Sequence, residues 1–155
     1  MLVRLNRRDR KGAPDTFDVD GLINLLDRLR ARTDGVVYAP VFRRDLEESI
    51  NAAVPIGADV DMVIVEGNYL LLDDQPWWRI AERLDVTLYV ETTETERRRR
   101  LLERQRRTYG SPEAAEAWVE RVDQPNARLV EATRHRADAV VQDLHVPVPS
   151  QPHLD

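Results

Sequence analysis

Residues 62–67 read Met-Val-Ile-Val-Glu-Gly. Four apolar side chains in a row do not alternate between core and water, as a half-exposed strand must. They suit a strand covered on both faces, the condition of a strand inside a parallel sheet. Such a sheet demands helices above and below it. Glu66 then stands at the strand's carboxyl end, where open α/β sheets form their ligand crevice. A carboxylate there suits a Mg²⁺ ion held directly or through water. The plainer reading is a polar strand end followed by a turn glycine, Gly67.

The rest of the chain alternates in the way that this strand requires. Asp18 or Asp20 can cap a helix carrying Leu22, Ile23, Leu25, Leu26 and Leu29, stopped at Asp34-Gly35. Val36 to Tyr38 reads as a short strand ended by Pro40. Residues 41–50 are ambiguous between loop and helix, and Ala52 to Ile56 can pair back on the Val36 run as a hairpin. Residues 68–74 read as loop, and a helix enters at Pro76. Val86 to Val90 is a second buried-type strand. Thr92 or Thr93 caps an arginine-rich helix that runs to about Thr108 and closes at Gly110. Ser111-Pro112 opens the next helix and Pro125 another, and Ala139 to Val141 is a last strand. The tail 143–155, with Pro147, Pro149 and Pro152, reads as flexible, leaving one unit over 1–142.

Composition narrows the chemistry. With 155 residues, 42% apolar and 33% charged, the chain suits one folded domain. A formal charge of -5 gives no bulk attraction to nucleic acid. No cysteine is present, which excludes thiol catalysis and cysteine-ligated metals. His135, His145 and His153 have no metal-ligand spacing. Neither a leader-type segment at Met1 to Gly12 nor an apolar run of membrane length is visible, so the expected compartment is the cytoplasm.

Two charged stretches compete with their plainer readings. In Glu96 to Arg107, a helical step of 100° puts Arg97, Arg100, Arg104 and Arg107 on one face. Guanidinium groups so arranged can clamp the oxygens of a transferring phosphoryl group. Equally, a charge run is a solvated helix with Glu–Arg pairs. Contact with RNA phosphates is a third reading, disfavoured by the acidic remainder. Residues 10–18, Arg-Lys-Gly-Ala-Pro-Asp-Thr-Phe-Asp, could touch a phosphate-bearing ligand, but read more simply as a flexible surface arm. Tyr38 and Trp78 could wall a pocket, although aromatics of this kind more often build core.

Taken in order, these pieces resemble the nucleoside/nucleotide kinase group, the uridine kinase and pantothenate kinase branch of the P-loop kinases. The resemblance lies in residues 10–18, in Val37-Tyr38-Ala39-Pro40, in Val63 to Asn68 and in the arginines of 100–107. It continues through Trp118-Val119-Glu120-Arg121-Val122-Asp123-Gln124-Pro125-Asn126-Ala127 and Thr133 to Asp138, so that it spans roughly 7–142. It departs at the front. The family's first strand, its glycine-lysine phosphate loop and its catalytic Asp-Gly-Phe have no counterpart in these residues, where the only lysine is Lys11. Arg43 also stands where relatives often carry an acid.

The resemblance implies an α/β P-loop kinase-like parallel sheet with flanking helices, its N-terminal strands and phosphate loop missing. It implies ATP-dependent phosphorylation of a small hydroxyl-bearing metabolite, such as a nucleoside or a pantothenate-like compound, with ATP and Mg²⁺ as the family's cosubstrate and metal. By the same resemblance Glu66 is catalytic and metal-binding, and Arg104 is catalytic. Arg100 and Arg107 are lid residues on the phosphates, Tyr38 and Trp118 line the acceptor, and Arg134 and Arg136 lie near the nucleotide. Phosphoryl transfer depends on positioning and charge stabilisation, much of which the phosphate loop and the aspartate supply. The 155 residues alone are therefore expected to be inactive, either because the start is misassigned or the sequence is a fragment of a complete kinase, or because the loss is real; the former explanation is preferred. The alternatives are a non-catalytic regulatory remnant and an RNA-binding module. Neither membrane nor nucleic acid is an expected partner. The open edges of an incomplete sheet are expected to promote self-association.

Overall fold

The structure, a computed structural model, describes residues 2–46 and 48–142; the expected flexible tail lies outside the described residues. Helix α1, Val19–Ala31, starts where Asp18 accepts a hydrogen bond from the Gly21 amide at 2.9 Å. It ends on Arg32, which takes the left-handed conformation at φ 50°. Its apolar stripe of Val19, Ile23 and Leu26 is buried against Tyr69, Leu72, Trp77 and Ile80, the centre of the core. Residues 68–74 form turns and irregular backbone, as a loop should, yet they carry core, since Tyr69, Leu71 and Leu72 are all buried. Ile80 comes from α2, Trp78–Ala81, a helix of one turn behind Pro76.

Two further expectations change here. Residues 10–18 are not a loose arm. They form two short 3₁₀ turns, Arg8–Arg10 and Pro14–Thr16, and Arg10 grips Asp15 through Nη2 at 2.8 Å. Phe17 meets Tyr69 and Trp77 edge-on, with ring centroids 5.8 and 6.0 Å apart. The Tyr69 hydroxyl donates to the Gly12 carbonyl at 2.6 Å. Strand β1, Val36–Arg43, runs through Pro40 rather than stopping there. It pairs antiparallel with β2, Glu48–Gly57, and the register slips between Ala39 and Val41. Proline has no N–H to give to a ladder, and such positions are where strands bulge.

Strand β3, Leu88–Glu91, pairs in parallel with β4, Ala139–Gln142. Three helices connect them: α3, Glu94–Tyr109; α4, Pro112–Trp118; and α5, Gln124–Ala132. Thr93 and Ser111 cap α3 and α4, and Gly110 ends α3 at φ 68°. A π-helical turn, Val119–Asp123, joins α4 to α5 and buries Val119 and Val122. Asp138 secures the mouth of the parallel pair, accepting from the Thr87 amide and hydroxyl at 2.7 Å each. The chain is thus mixed α/β, with a small parallel sheet and flanking helices.

The strand expected at Met62–Val65 does not form a ladder. Among the described residues neither β3 nor the hairpin bonds to it, and residues 60–67 carry no regular secondary structure. Its apolar side chains are correspondingly open, Met62 at 77% and Ile64 at 85% exposure, with only Val65 packed on the core. A strand exists by its partners. This segment has the side chains for a sheet interior and no neighbour to supply the other half of each hydrogen bond.

Candidate functional site

Between the Met62–Val65 segment and β3 lies a groove of ≈ 1020 Å³. Its walls include Leu26, Val37, Ile64, Leu84 and Leu88, and Glu66, Val90 and Thr133 lie toward the carboxyl ends. Glu66 is exposed at that end, as its place after the Met62–Val65 run requires. It has no ion pair among the described residues, so the carboxylate is open to a ligand. No group of three or more acidic or histidine side chains that could cage a metal occurs among the described residues. Mg²⁺ is ordinarily held by one or two carboxylates together with substrate phosphates and waters. A single Glu66 fits that mode of binding and not a dedicated protein cage.

Helix α3 follows directly on the carboxyl end of β3, so its arginines overhang the same side of the parallel pair. Most of them are engaged. Arg98 reaches Glu116 at 3.0 Å and Glu120 at 2.9 Å on α4 and the π turn. Arg99 and Arg100 both bind Glu96 at 2.7 Å, and Arg107 binds Glu103 at 2.5 Å. These two arginines, Arg99 first, hold the Glu96 carboxyl down at about 2. For Arg100 and Arg107 the plainer expectation of Glu–Arg pairing along the helix is what the side chains do. Arg104 instead faces Asp123 at 3.9 Å. Burial raises the proton affinity of Asp123, opposed by the amide of Gln105, which donates to it at 2.8 Å, and by the charge of Arg104.

The other expected residues are dispersed. Tyr38 is exposed on β1 of the hairpin. Trp118 ends α4, its ring 5.3 Å from that of Tyr109, with the Arg121 guanidinium 5.6 Å above it. Arg134 donates to Glu91 at 2.7 Å and so ties the loop before β4 to the end of β3. Arg136 donates to Asp73 at 3.3 Å. Glu66 lies on the groove and Arg134 at the end of β3, where α3 starts, whereas no residue of α3 lines the groove, Arg104 and Arg107 stand farther along the helix, and Tyr38 is on the hairpin. Sequence reasoning passed over Asp123, Gln105 and Tyr69. Gln105 had a signal, being an uncharged side chain within a run of arginines. It is the buried residue of α3.

No protein-family model matches the chain. It is 33% identical to the uncharacterized protein YggC of Escherichia coli over 85% of its own length and 54% of that protein's. A uridine kinase-assigned protein of Schizosaccharomyces pombe is 29% identical over 88% of this chain and 59% of its own. The chain therefore spans a little over half the length of these curated relatives. Among solved structures, a Silicibacter protein assigned as a fructose transport system kinase superposes with a TM-score of 0.82 at 33% identity. That match covers 90% of this chain and 67% of the other.

Proposed function

The chain belongs to the P-loop kinase family of uridine kinase- and pantothenate kinase-like proteins, and from that premise we propose that it carries the acceptor and lid side of an ATP-dependent kinase. The acceptor we infer is a small hydroxyl-bearing metabolite, a nucleoside or a pantothenate-like compound. One observation supports this reading above the others: Glu66, an open carboxylate, stands at the end of a groove beside β3, and the arginine helix α3 starts from that strand's end. In this reading Glu66 holds Mg²⁺ or receives the acceptor hydroxyl. The bound metal would offset phosphate charge. Arg104 turns from Asp123 to the phosphoryl oxygens, with Arg100 and Arg107 beside it, and their positive charge favours the form in which negative charge has spread over those oxygens. Trp118 and Tyr38 bound the acceptor, and Arg134 and Arg136 border the nucleotide.

These 155 residues hold no glycine-lysine phosphate loop. That favours a second reading, a non-catalytic regulatory role, for the segment by itself. RNA binding is opposed by the ion pairs that occupy Arg98, Arg99 and Arg107. Calorimetry separates the first two readings. The 155-residue chain should show no saturable ATP binding below millimolar concentration. A polypeptide that adds a Gly-x-x-x-x-Gly-Lys-Ser/Thr loop ahead of it should bind, and should phosphorylate one of uridine, pantothenate or fructose. Tight Mg-ATP binding by the 155 residues would contradict the dependence on the loop. No turnover of any hydroxyl acceptor by the loop-bearing form would leave the regulatory role.

A further inference from the structure

A second cavity, of ≈ 440 Å³, opens beside the start of α1 and shares no lining residue with the groove. Small-molecule pockets run from about 300 to 1,000 Å³, so it has the room for a ligand. Phe17 and Leu129 line it and are both exposed, and Trp77 forms part of its wall. Most of its charged groups are committed. Asp15 holds Arg10 at 2.8 Å and Arg7 at 3.4 Å. Asp20 holds Arg79 at 2.9 Å, and Asp18 caps α1. Two polar groups are left over. The Asp74 carboxylate enters no hydrogen bond or ion pair among the described residues. The other is the indole N–H of Trp77. That side chain is only 6% exposed, and its Nε1–H finds no acceptor among the described residues. A buried tryptophan ordinarily has one. Nor is this nitrogen sealed inside the core, where the Arg97 Nε is the one such orphan among the described residues. Trp77 borders this cavity and not the groove, so its N–H opens on the cavity.

We infer that this cavity binds a small organic ammonium that also carries an oxygen acceptor. The ammonium meets Asp74, the oxygen accepts from the Trp77 indole, and the apolar body lies against Phe17 and Leu129. The sign of the charge follows from the lining, which sets four aspartates against Arg7. The arginines Arg10 and Arg79 that pair with two of these aspartates stand outside it. An anion would face Asp74 with nothing between them, whereas a cation pairs with it and is also favoured by the faces of aromatic rings. The donor explains why an ammonium alone is not enough: without an oxygen partner the indole N–H stays unpaired beneath the ligand. None of these residues has a part in the phosphoryl-transfer reading, so the inference is independent of it.

Tyramine is a probe with both groups on one aromatic body. The experiment titrates it into the 155-residue chain labelled with ¹⁵N at tryptophan, following the indole Nε1–H resonances. Trp78→Phe and Trp118→Phe assign the Trp77 signal by elimination, with the core left intact. That signal should move to saturation, while the signal of Trp118, which lines neither cavity, should stay. 4-Ethylphenol, which lacks the ammonium, should bind about fivefold more weakly, the reach of one exposed ion pair. Phenethylamine, which lacks the oxygen, should bind with a smaller shift of the Trp77 signal. Asp74→Asn, at an exposed position, should lower tyramine affinity by about the same fivefold and leave 4-ethylphenol unchanged. Shifts that stay linear, a saturating titration that leaves Trp77 unmoved, or equal affinities for tyramine in wild type and Asp74→Asn would each overturn the proposal.

Discussion

Tyr69 does at the scale of one residue what the sequence gives no reason to expect of a position in a presumed loop. Its ring is buried at 3% exposure between Phe17 and Trp77, and its hydroxyl reaches 57 residues back to the Gly12 carbonyl. Gly12 itself adopts φ 97°, a conformation that glycine enters without a side-chain penalty. The pair fastens the 3₁₀ turns of residues 8–16 to the core. Tyr69→Phe keeps the ring packing and removes one hydrogen bond, so it should cost about 1 kcal/mol in urea unfolding. Amide exchange should quicken at Gly12 and Thr16, whose N–H groups donate within the turn to the Thr16 hydroxyl and the Ala13 carbonyl. Burial, with a smaller push from Asp123, raises the Tyr69 hydroxyl to about 12 from 10.0. The folded state therefore holds this proton more tightly than the unfolded chain. The associated stability is complete below the unfolded value and is lost as pH rises through about 12. The phenylalanine substitution should abolish that alkaline slope in a stability-versus-pH series. An unchanged slope and an unchanged midpoint would mean that the hydroxyl anchors nothing.

Elements were legible where local chemistry decides them and obscure where partners do. Asp18, Thr93, Ser111 and Gly110 mark helix ends through their own backbone preferences, and α1, α3 and α4 begin or end on them. The hairpin was visible only as one option, because pairing is not a local property. Met62–Val65 fails for the same reason, since its composition names a strand that its neighbours do not complete. How α3 docks was also hidden, because its polar contacts reach residues far along the chain, one of them through a buried side chain. Gln105 is buried at 8% exposure and gives its amide to the half-buried Asp123. Asp123→Ala should leave that amide without an acceptor and cost about 1–3 kcal/mol. Asp123→Asn keeps an acceptor oxygen and should cost less. The sign with pH follows from the raised affinity of Asp123 for its proton. A carboxyl raised on folding favours the folded state only while protonated, so its ionised form at neutral pH works against stability. The cost of Asp123→Asn relative to wild type should therefore grow as pH falls through the acid range and the wild-type carboxyl gains its proton. Urea unfolding of the three proteins at neutral and acid pH reads this directly, and equal stability of Asp123→Ala would show that α3 is held by its half-buried leucines alone.

For the whole molecule the decisive fact is the groove beside β3. Met62, Val63 and Ile64 on one side and Val86, Leu88 and Val90 on the other are all exposed, although they have the character of a sheet interior. The backbone of residues 61–67 adds N–H and C=O groups that no strand among the described residues pairs. Each such group costs about 1–3 kcal/mol if it is buried unpaired, so the groove cannot simply collapse on itself. Water can solvate the backbone but not the apolar side chains, and a second chain can satisfy both. An open apolar edge is the usual template for that event. No helix among the described residues is long and apolar enough to cross a membrane, so a lipid-spanning helix does not offer an outlet for this surface. We propose that the 155-residue chain self-associates through these edges. Sedimentation and size-exclusion should show a mass that rises with concentration. Ile64→Lys should shift the distribution toward monomer, because an edge lysine opposes strand addition while the exposed Ile64 contributes little to the core. Val119→Lys, at a fully buried position, should instead unfold the protein, which separates loss of association from loss of fold. A concentration-independent monomer with a sharp cooperative transition, indifferent to Ile64→Lys, would mean that the groove is already closed in solution and that the edges beside β3 are not sticky.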